Sequence, residues 1–455
     1  MSLSNRGRKM HPTRMLVVSF GIAVLFGTLV LLLPISTVDG KSTGIVTALF
    51  TAVSAVCVTG LTVVDTATHW SGFGHFAIML MIQAGGLGII SFATILGLLI
   101  SGRISLSDRL NTLAEAKIIG ARTLPVLLRR VILVYFGFEI ALALYLSFRY
   151  RTEYLYSWFD SLWHGFFHAI SAFNNAGFAL YSDNLTRFSN DYLYLLPIMA
   201  AVIVGGLGIP VLIEIHERIW KLNLLPGGKR KPFSLHTKMT IWTTSILVVI
   251  GGIFFAILDW NNNAVFGEMN PFVKILNAFF ASTVARTAGF NTFDISQMDP
   301  ASWLAMDLLM FIGGGSASTA GGIKVTTLAV LFFIIYTEIR GETAVNVGKR
   351  RLPRSIQRQA LTLVALASST IIFSTIALTA LTDFELDRLL LEVVSATSTV
   401  GLSTGITADL PDFAKIWLAV LMFVGRLGPL VIATALALRV TKRHYELPKE
   451  RPLIG

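Results

Sequence analysis

Four short turns in this sequence share one element: a glycine followed by a large apolar residue. They read Val58-Thr59-Gly60-Leu61, Asn175-Ala176-Gly177-Phe178, Thr287-Ala288-Gly289-Phe290 and Thr399-Val400-Gly401-Leu402. The glycines stand 117, 112 and 112 residues apart, and self-similarity at a nearly fixed period implies repeated structural units. The chemistry on offer is that of the backbone. Glycine takes positive φ without steric penalty, so successive carbonyls can point toward one axis. A ring of carbonyls can then replace the hydration shell of a cation. Gly60, Gly177, Gly289 and Gly401 are therefore read as the lining of an ion path. Thr59, Ala176, Ala288 and Val400, with Asn175, Thr287 and Thr399 before them, add carbonyls or line its mouth.

The elements that must position these turns can be read around them. Each turn follows an apolar segment too short to cross a bilayer, at 44–58, 160–174, 271–285 and 386–398. About 20 helical residues are needed to cross about 30 Å of hydrocarbon. Eight stretches meet that length, near 15–34, 74–101, 127–148, 192–219, 239–258, 302–338, 359–381 and 412–439. The short segments lie between the first and second of each pair. Unpaired backbone carbonyls are tolerated at membrane depth only when buried in protein or lining a water-filled cavity, and four re-entrant turns around one axis make such a lining. Helices running inward from the outer surface also direct their partly negative C-terminal ends at the ion, which favours a cation. A second motif repeats downstream: Gln83-Ala84-Gly85-Gly86-Leu87-Gly88, Val204-Gly205-Gly206-Leu207-Gly208 and Val424-Gly425-Arg426-Leu427-Gly428, with Gly313-Gly314-Gly315 in the third unit. Its first glycine follows the turn glycine by 25, 28, 24 and 24 residues, and small residues there permit close helix approach.

Composition sets the class. Of 455 residues 54% are apolar and 14% charged, and the mean hydropathy is +0.70, which excludes a soluble domain. The single cysteine, Cys57, excludes an intrachain disulfide and a cysteine-built metal site. The net charge of +11 sits in clusters between apolar segments, the pattern of membrane topology and not of nucleic-acid binding. The first stretch follows Arg6, Arg8, Lys9 and Arg14 but lacks a cleavage site, so it is read as a retained helix. With a cytoplasmic N-terminus, the successive inner segments carry four, six, six, six and five Lys or Arg, 27 of the 37, which places both termini in the cytoplasm. About 17 of the 26 acids fall outside, among them Asp65, Asp183, Asp294 and Asp409, as a solvated face that can also concentrate cations. The expected fold is an all-α integral membrane protein, with eight transmembrane helices in four helix–pore loop–helix repeats around one central pore. The repeats are 15–101, 127–219, 239–338 and 359–440. An N-terminus at 1–14, linkers at 102–126, 220–238 and 339–358 and a tail at 441–455 complete the chain.

The third repeat contains Gly313, Gly314, Gly315, Ser316, Ala317, Ser318, Thr319, Ala320, Gly321, Gly322, Ile323 and Lys324. Five glycines in that run cannot sustain a rigid helix, so a non-helical segment is expected under the filter. Arg426 stands where the first two repeats have Gly86 and Gly206. It is costly in hydrocarbon, so it faces the cavity or binds backbone carbonyls of the broken helix. Lys324 closes the run and can satisfy nearby carbonyls. Glu139, within the third stretch, is a candidate for a proton relay or for pairing with a neighbouring helix. His164 and His168 have metal-compatible spacing but no evident third ligand, so packing is the simpler reading. Gly341 to Lys349 departs from a phosphate loop, with six residues between its glycines where that motif has four. No dinucleotide fingerprint is present.

Together the four glycine turns and the broken run 313–324 resemble the Trk/Ktr/HKT superfamily of potassium transport proteins, most closely the membrane subunit (KtrB-type) of bacterial Ktr systems. The resemblance covers about 15–440, and Thr399-Val400-Gly401-Leu402 is similar to the channel filter Thr-Val-Gly-Tyr-Gly. It implies potassium at the filter carbonyls and potassium selectivity, because all four filter positions are glycine. It also implies that 313–324 is an intramembrane gate with Arg426 as a second part of the constriction. No cofactor is expected in this chain. A homodimer is implied, seated on a cytosolic ring of RCK-type subunits that bind adenine nucleotide, with contacts through 102–126, 220–238 and 340–358. The rival reading, an ion-coupled small-solute secondary transporter, would usually show two repeats. An enzyme would need converging nucleophile, acid and base groups, and no such cluster is evident.

Overall fold

The computed structural model of the chain describes residues 12–88, 124–219, 232–267 and 269–428. The N-terminal segment, the linkers 102–126 and 220–238, the tail 441–455 and the distal parts of stretches 74–101 and 412–439 lie wholly or largely outside the described residues. Those described are mostly helical, and their one sheet is an antiparallel ribbon pairing Asn346–Val347 with Arg350–Arg351.

The helices come in four rounds, each with an entering, a short and a returning helix. The first round is Pro12–Leu31, Ile45–Val56 and Gly72–Leu87; the second is Leu124–Thr152, Trp158–Phe173 and Tyr192–Leu207. The third is Leu235–Leu258, Pro271–Val284 and a divided return, Pro300–Phe311 and Val325–Ile339; the fourth is Arg354–Leu381, Leu386–Ser398 and Asp412–Leu427. Local chemistry starts the short helices. Ser157 caps the second by accepting from the Asp160 amide, and Asn270 caps the third by accepting from Phe272, with Pro271 in the first turn.

Burial is arranged as in a bilayer protein. Long helices turn large apolar side chains outward, among them Phe26, Trp242, Phe254 and Phe373, while the short helices are buried toward their C-terminal ends. Each returning helix packs on the short helix of the following round, and the fourth packs on the first, so the rounds close into a ring.

Eight full-length spans are not what the described helices give. Val131–Thr152, Leu235–Leu258 and Arg354–Leu381 are long and apolar enough to cross a membrane, and Tyr192–Leu207 with Ile209–Ile219 makes a fourth if that bent pair is one span. The others are shorter apolar helices. Two causes are local: the second return bends by 108° at Gly208, whose φ is +92°, with Pro210 just beyond, and the third is split by its glycine run. The first and fourth returns run up to Gly88 and Gly428, the last described residues of their segments.

Candidate functional site

The four turns emerge from the C-terminal ends of the short helices with a common backbone. Gly60, Gly177, Gly289 and Gly401 have φ of +95°, +72°, +68° and +96°. Two positions earlier, Val58, Asn175, Thr287 and Thr399 also have positive φ, at +56°, +59°, +86° and +51°. Three of those are β-branched, for which this region is a genuine outlier. A reversal of φ sign from residue to residue turns consecutive carbonyls to one side of the chain, where a uniform extended strand sends them to alternate sides.

Amides of the turns are tied back to the short helices. Thr59 N donates to Ser54 O at 2.8 Å, Ala176 N to Ser171 O at 2.7 Å, Ala288 N to Val284 O at 2.9 Å and Val400 N to Ser395 O at 2.8 Å. Gly60 N and Gly401 N each donate to a serine hydroxyl, Ser54 Oγ and Ser395 Oγ, at 3.0 Å. The carbonyls face the other way. A Cβ placed on Gly177 would lie 2.7 Å from Ala288 O, and one on Gly289 would lie 2.6 Å from Val400 O. On Gly60 it would strike Ala176 O, and on Gly401 it would strike Thr59 O. Each glycine thus abuts the carbonyl of the next turn, and the sequence closes from the fourth turn to the first. The expected filter residues Thr59, Asn175, Ala176, Thr287, Ala288, Thr399 and Val400 are all buried at this ring. The hydroxyls of Thr59 and Thr399 are buried without a protein partner.

The broken segment lies against this ring. Gly315 N donates to Gly206 O at 2.8 Å, Ile209 N donates to Ala317 O at 3.0 Å, and a Cβ on Gly321 would meet Ser398 O at 2.5 Å and the Thr399 hydroxyl. A parallel bridge between Ile312 and Ile323 closes its base, where Gly313 N donates to Ile323 O at 2.9 Å. Ser318 Oγ donates to Gly315 O at 2.7 Å and fixes the turn, in which Ala317 and Gly322 have positive φ. Lys324 Nζ donates to Ala320 O at 2.6 Å. Arg426 donates from Nη1 to Thr319 O and from Nη2 to Gly85 O. Its guanidinium therefore binds one backbone carbonyl of the broken segment, as one of the two expectations has it, and ties that segment to the end of the first returning helix.

Glu139 pairs with neighbouring elements, one of its two expected roles: its Oε1 accepts from Asn174 Nδ2 at 2.8 Å and its Oε2 from Gln83 Nε2 at 2.9 Å, with Tyr135 donating to Asn174 Oδ1. This cluster backs the second turn, because Asn174 caps its short helix. His164 and His168 stack with Tyr181, and among the described residues no group of three metal-binding side chains forms. Gly341 to Lys349 leads into the small ribbon.

Sequence reading missed two features. Val58 shares the left-handed position with Asn175, Thr287 and Thr399. A hydroxyl also stands six residues before every turn glycine, at Ser54, Ser171, Thr283 and Ser395. Aligning the four units on their glycines displays both.

A family model described as "TrkH: Cation transport protein" matches residues 4–445. The Ktr system potassium uptake protein B of Bacillus subtilis is 36% identical over 433 residues, covering 94% of this chain and 93% of that protein. The protein of the same name from Vibrio alginolyticus is 35% identical, covering 97% and 94%. The potassium/sodium uptake protein NtpJ of Enterococcus hirae is 32% identical, covering 98% of each. The crystal structure of the potassium transporter TrkH from Vibrio parahaemolyticus superposes with a TM-score of 0.71 over 96% of this chain and 87% of that one. At 19% identity that likeness carries the fold alone.

Proposed function

Because this chain belongs to the TrkH family of cation transport proteins, we propose that it carries potassium into the cell through a single pore lined by its four glycine turns. The observation that carries this reading is the closed ring in which each turn glycine abuts the carbonyl of the next. Four rounds of entering helix, pore helix and return act as repeats around that axis, and together they traverse the bilayer eight times. Potassium is the substrate: carbonyls of Thr59, Ala176, Ala288 and Val400, with those of the adjoining glycines, take the place of its water. Glycine at all four positions favours potassium over sodium, and relatives named for potassium uptake support the choice.

Beneath the filter, the segment 313–324 serves as a gate and Arg426 holds it shut. Both termini are cytoplasmic. Two copies of the chain form a dimer on a cytosolic RCK-type ring whose adenine nucleotide controls the gate through the basic inner loops.

The test is potassium and sodium uptake in a transporter-deficient bacterium supplied with the cytosolic partner. The natural chain should rescue growth at low potassium. Gly60→Ser and Gly401→Ser should lower potassium uptake by about tenfold or more, since each puts a Cβ into a neighbouring carbonyl and a side chain at strongly positive φ. A natural chain that reaches the membrane and moves neither ion removes the proposal.

A further inference from the structure

Two buried side chains behind the ring hold, from the same place, the chain that follows a turn glycine. His168 stands nine residues before Gly177, Glu392 stands nine before Gly401, and both are fully buried. His168 Nε2 accepts the amide of Leu180 at 3.3 Å, and Leu180 is three residues beyond its glycine. The Glu392 carboxylate accepts from the Ser403 hydroxyl and from Thr407 Oγ1 at 2.8 Å, two and six residues beyond its own glycine. In the ring order established by the glycine contacts, the second and fourth turns stand opposite each other. The third short helix has Phe280 at this position, which cannot accept, so the arrangement is not fourfold.

The two residues share an acceptor lone pair, not a charge. His168 Nδ1 lies 2.8 Å from His164 O, and a carbonyl can only accept. The proton is therefore on Nδ1, and Nε2 is the acceptor of a neutral ring. Glu392 supplies the same function with a carboxylate oxygen. Each holds, from behind, the chain that continues outward from the filter glycine.

We infer that His168 and Glu392 are a pair of positioning residues that fix the outer mouth of the filter in opposite rounds, and through it the discrimination between potassium and sodium. The selectivity role rests on the proposed function; the anchoring does not, and the test separates them. Amide exchange in the purified full chain should quicken at 402–406 in Glu392→Leu and at 178–182 in His168→Leu, each leaving the other segment as in the natural protein. In uptake assays on cells with equal membrane amounts of protein, Glu392→Leu should lose potassium-over-sodium discrimination by about tenfold, the scale of one buried hydrogen bond left unmade. Glu392→Gln and His168→Gln keep an acceptor oxygen and should restore most of both readouts.

Unchanged exchange in both leucine variants overturns the anchoring. Faster exchange with unchanged discrimination overturns the selectivity role. Equal losses in Glu392→Gln and Glu392→Leu would show that the charge matters and overturn the acceptor argument. A natural chain that moves no cation removes the proposed function and the selectivity role with it, while the exchange result still decides the anchoring.

Discussion

Glu139 shows what a single buried group demands of its neighbours. Its two carboxylate oxygens each take an amide donor, from Gln83 and from Asn174, and Asn174 Nδ2 also donates to Gln83 Oε1 at 3.1 Å. That last bond fixes the orientation of Gln83. Glu139→Gln puts an NH2 where one acceptor stood, and a compensating flip of Gln83 would set two NH2 groups face to face at Asn174. One buried donor then goes unpaired, at about 1–3 kcal/mol, whereas Glu139→Leu leaves Gln83 Nε2 unpaired and also loses the bond to Asn174, whose Nδ2 keeps only Gln83 Oε1 and Ile170 O. Thermal unfolding in detergent should rank the natural protein above Glu139→Gln, and Glu139→Gln above Glu139→Leu. Equal stability of the two variants would argue against the network. The sequence did not identify the partners of Glu139, because they lie 56 and 35 residues away. The turn glycines were legible for the opposite reason, since positive φ selects residue type. Val58 was not, because a valine in the left-handed region advertises nothing in its own chemistry.

Between elements, the repeated glycine pair was legible as close packing, and the geometry identifies its partner. A Cβ on Gly85, Gly205 or Gly425 would run into the carbonyl of Val56, Phe173 or Thr397, each four residues before its turn glycine. The returning helix thus approaches the C-terminal end of its own short helix until backbone meets backbone. Gly205→Ala should cost about 1–3 kcal/mol as overpacking against a carbonyl that the turn itself holds in place. Gly137 supplies the contrast: it lies in Leu124–Thr152 with nothing within 4 Å of an added Cβ. Gly137→Ala should stabilise by about 0.5–1 kcal/mol through helix propensity. Opposite shifts in melting temperature check both, and parallel shifts would refute the packing account. Helix lengths were less legible. Hydropathy marks an apolar stretch, whereas a bend at Gly208 or the split at 313–324 depends on which carbonyls nearby can take the freed amides, as Gly206 O does for Gly315.

Over the whole molecule, one chain supplies four turns that no single round could stabilise, and Arg426 is where their coupling concentrates. Its guanidinium belongs to the fourth round, binds Thr319 O in the broken return of the third, and reaches Gly85 O at the end of the first return. The segment it holds is itself bonded to the second return through Gly206 and Ile209. An arginine at this depth is expensive unless its donors are met, so the broken run and the arginine stabilise one another. If 313–324 is the gate, its position is held by contacts to the second and fourth rounds and, through Arg426, to the first, and opening it requires work from outside the membrane. The proposed cytosolic ring would supply that work. Arg426→Gln should then raise potassium flux measured without the cytosolic partner, as should replacing 313–324 by a shorter linker. Neither change should alter potassium-over-sodium discrimination, because neither removes a carbonyl of the four glycine turns. Flux that stays dependent on the partner in both variants would remove the gate assignment, and flux that rises with loss of discrimination would mean that the segment supports the filter instead.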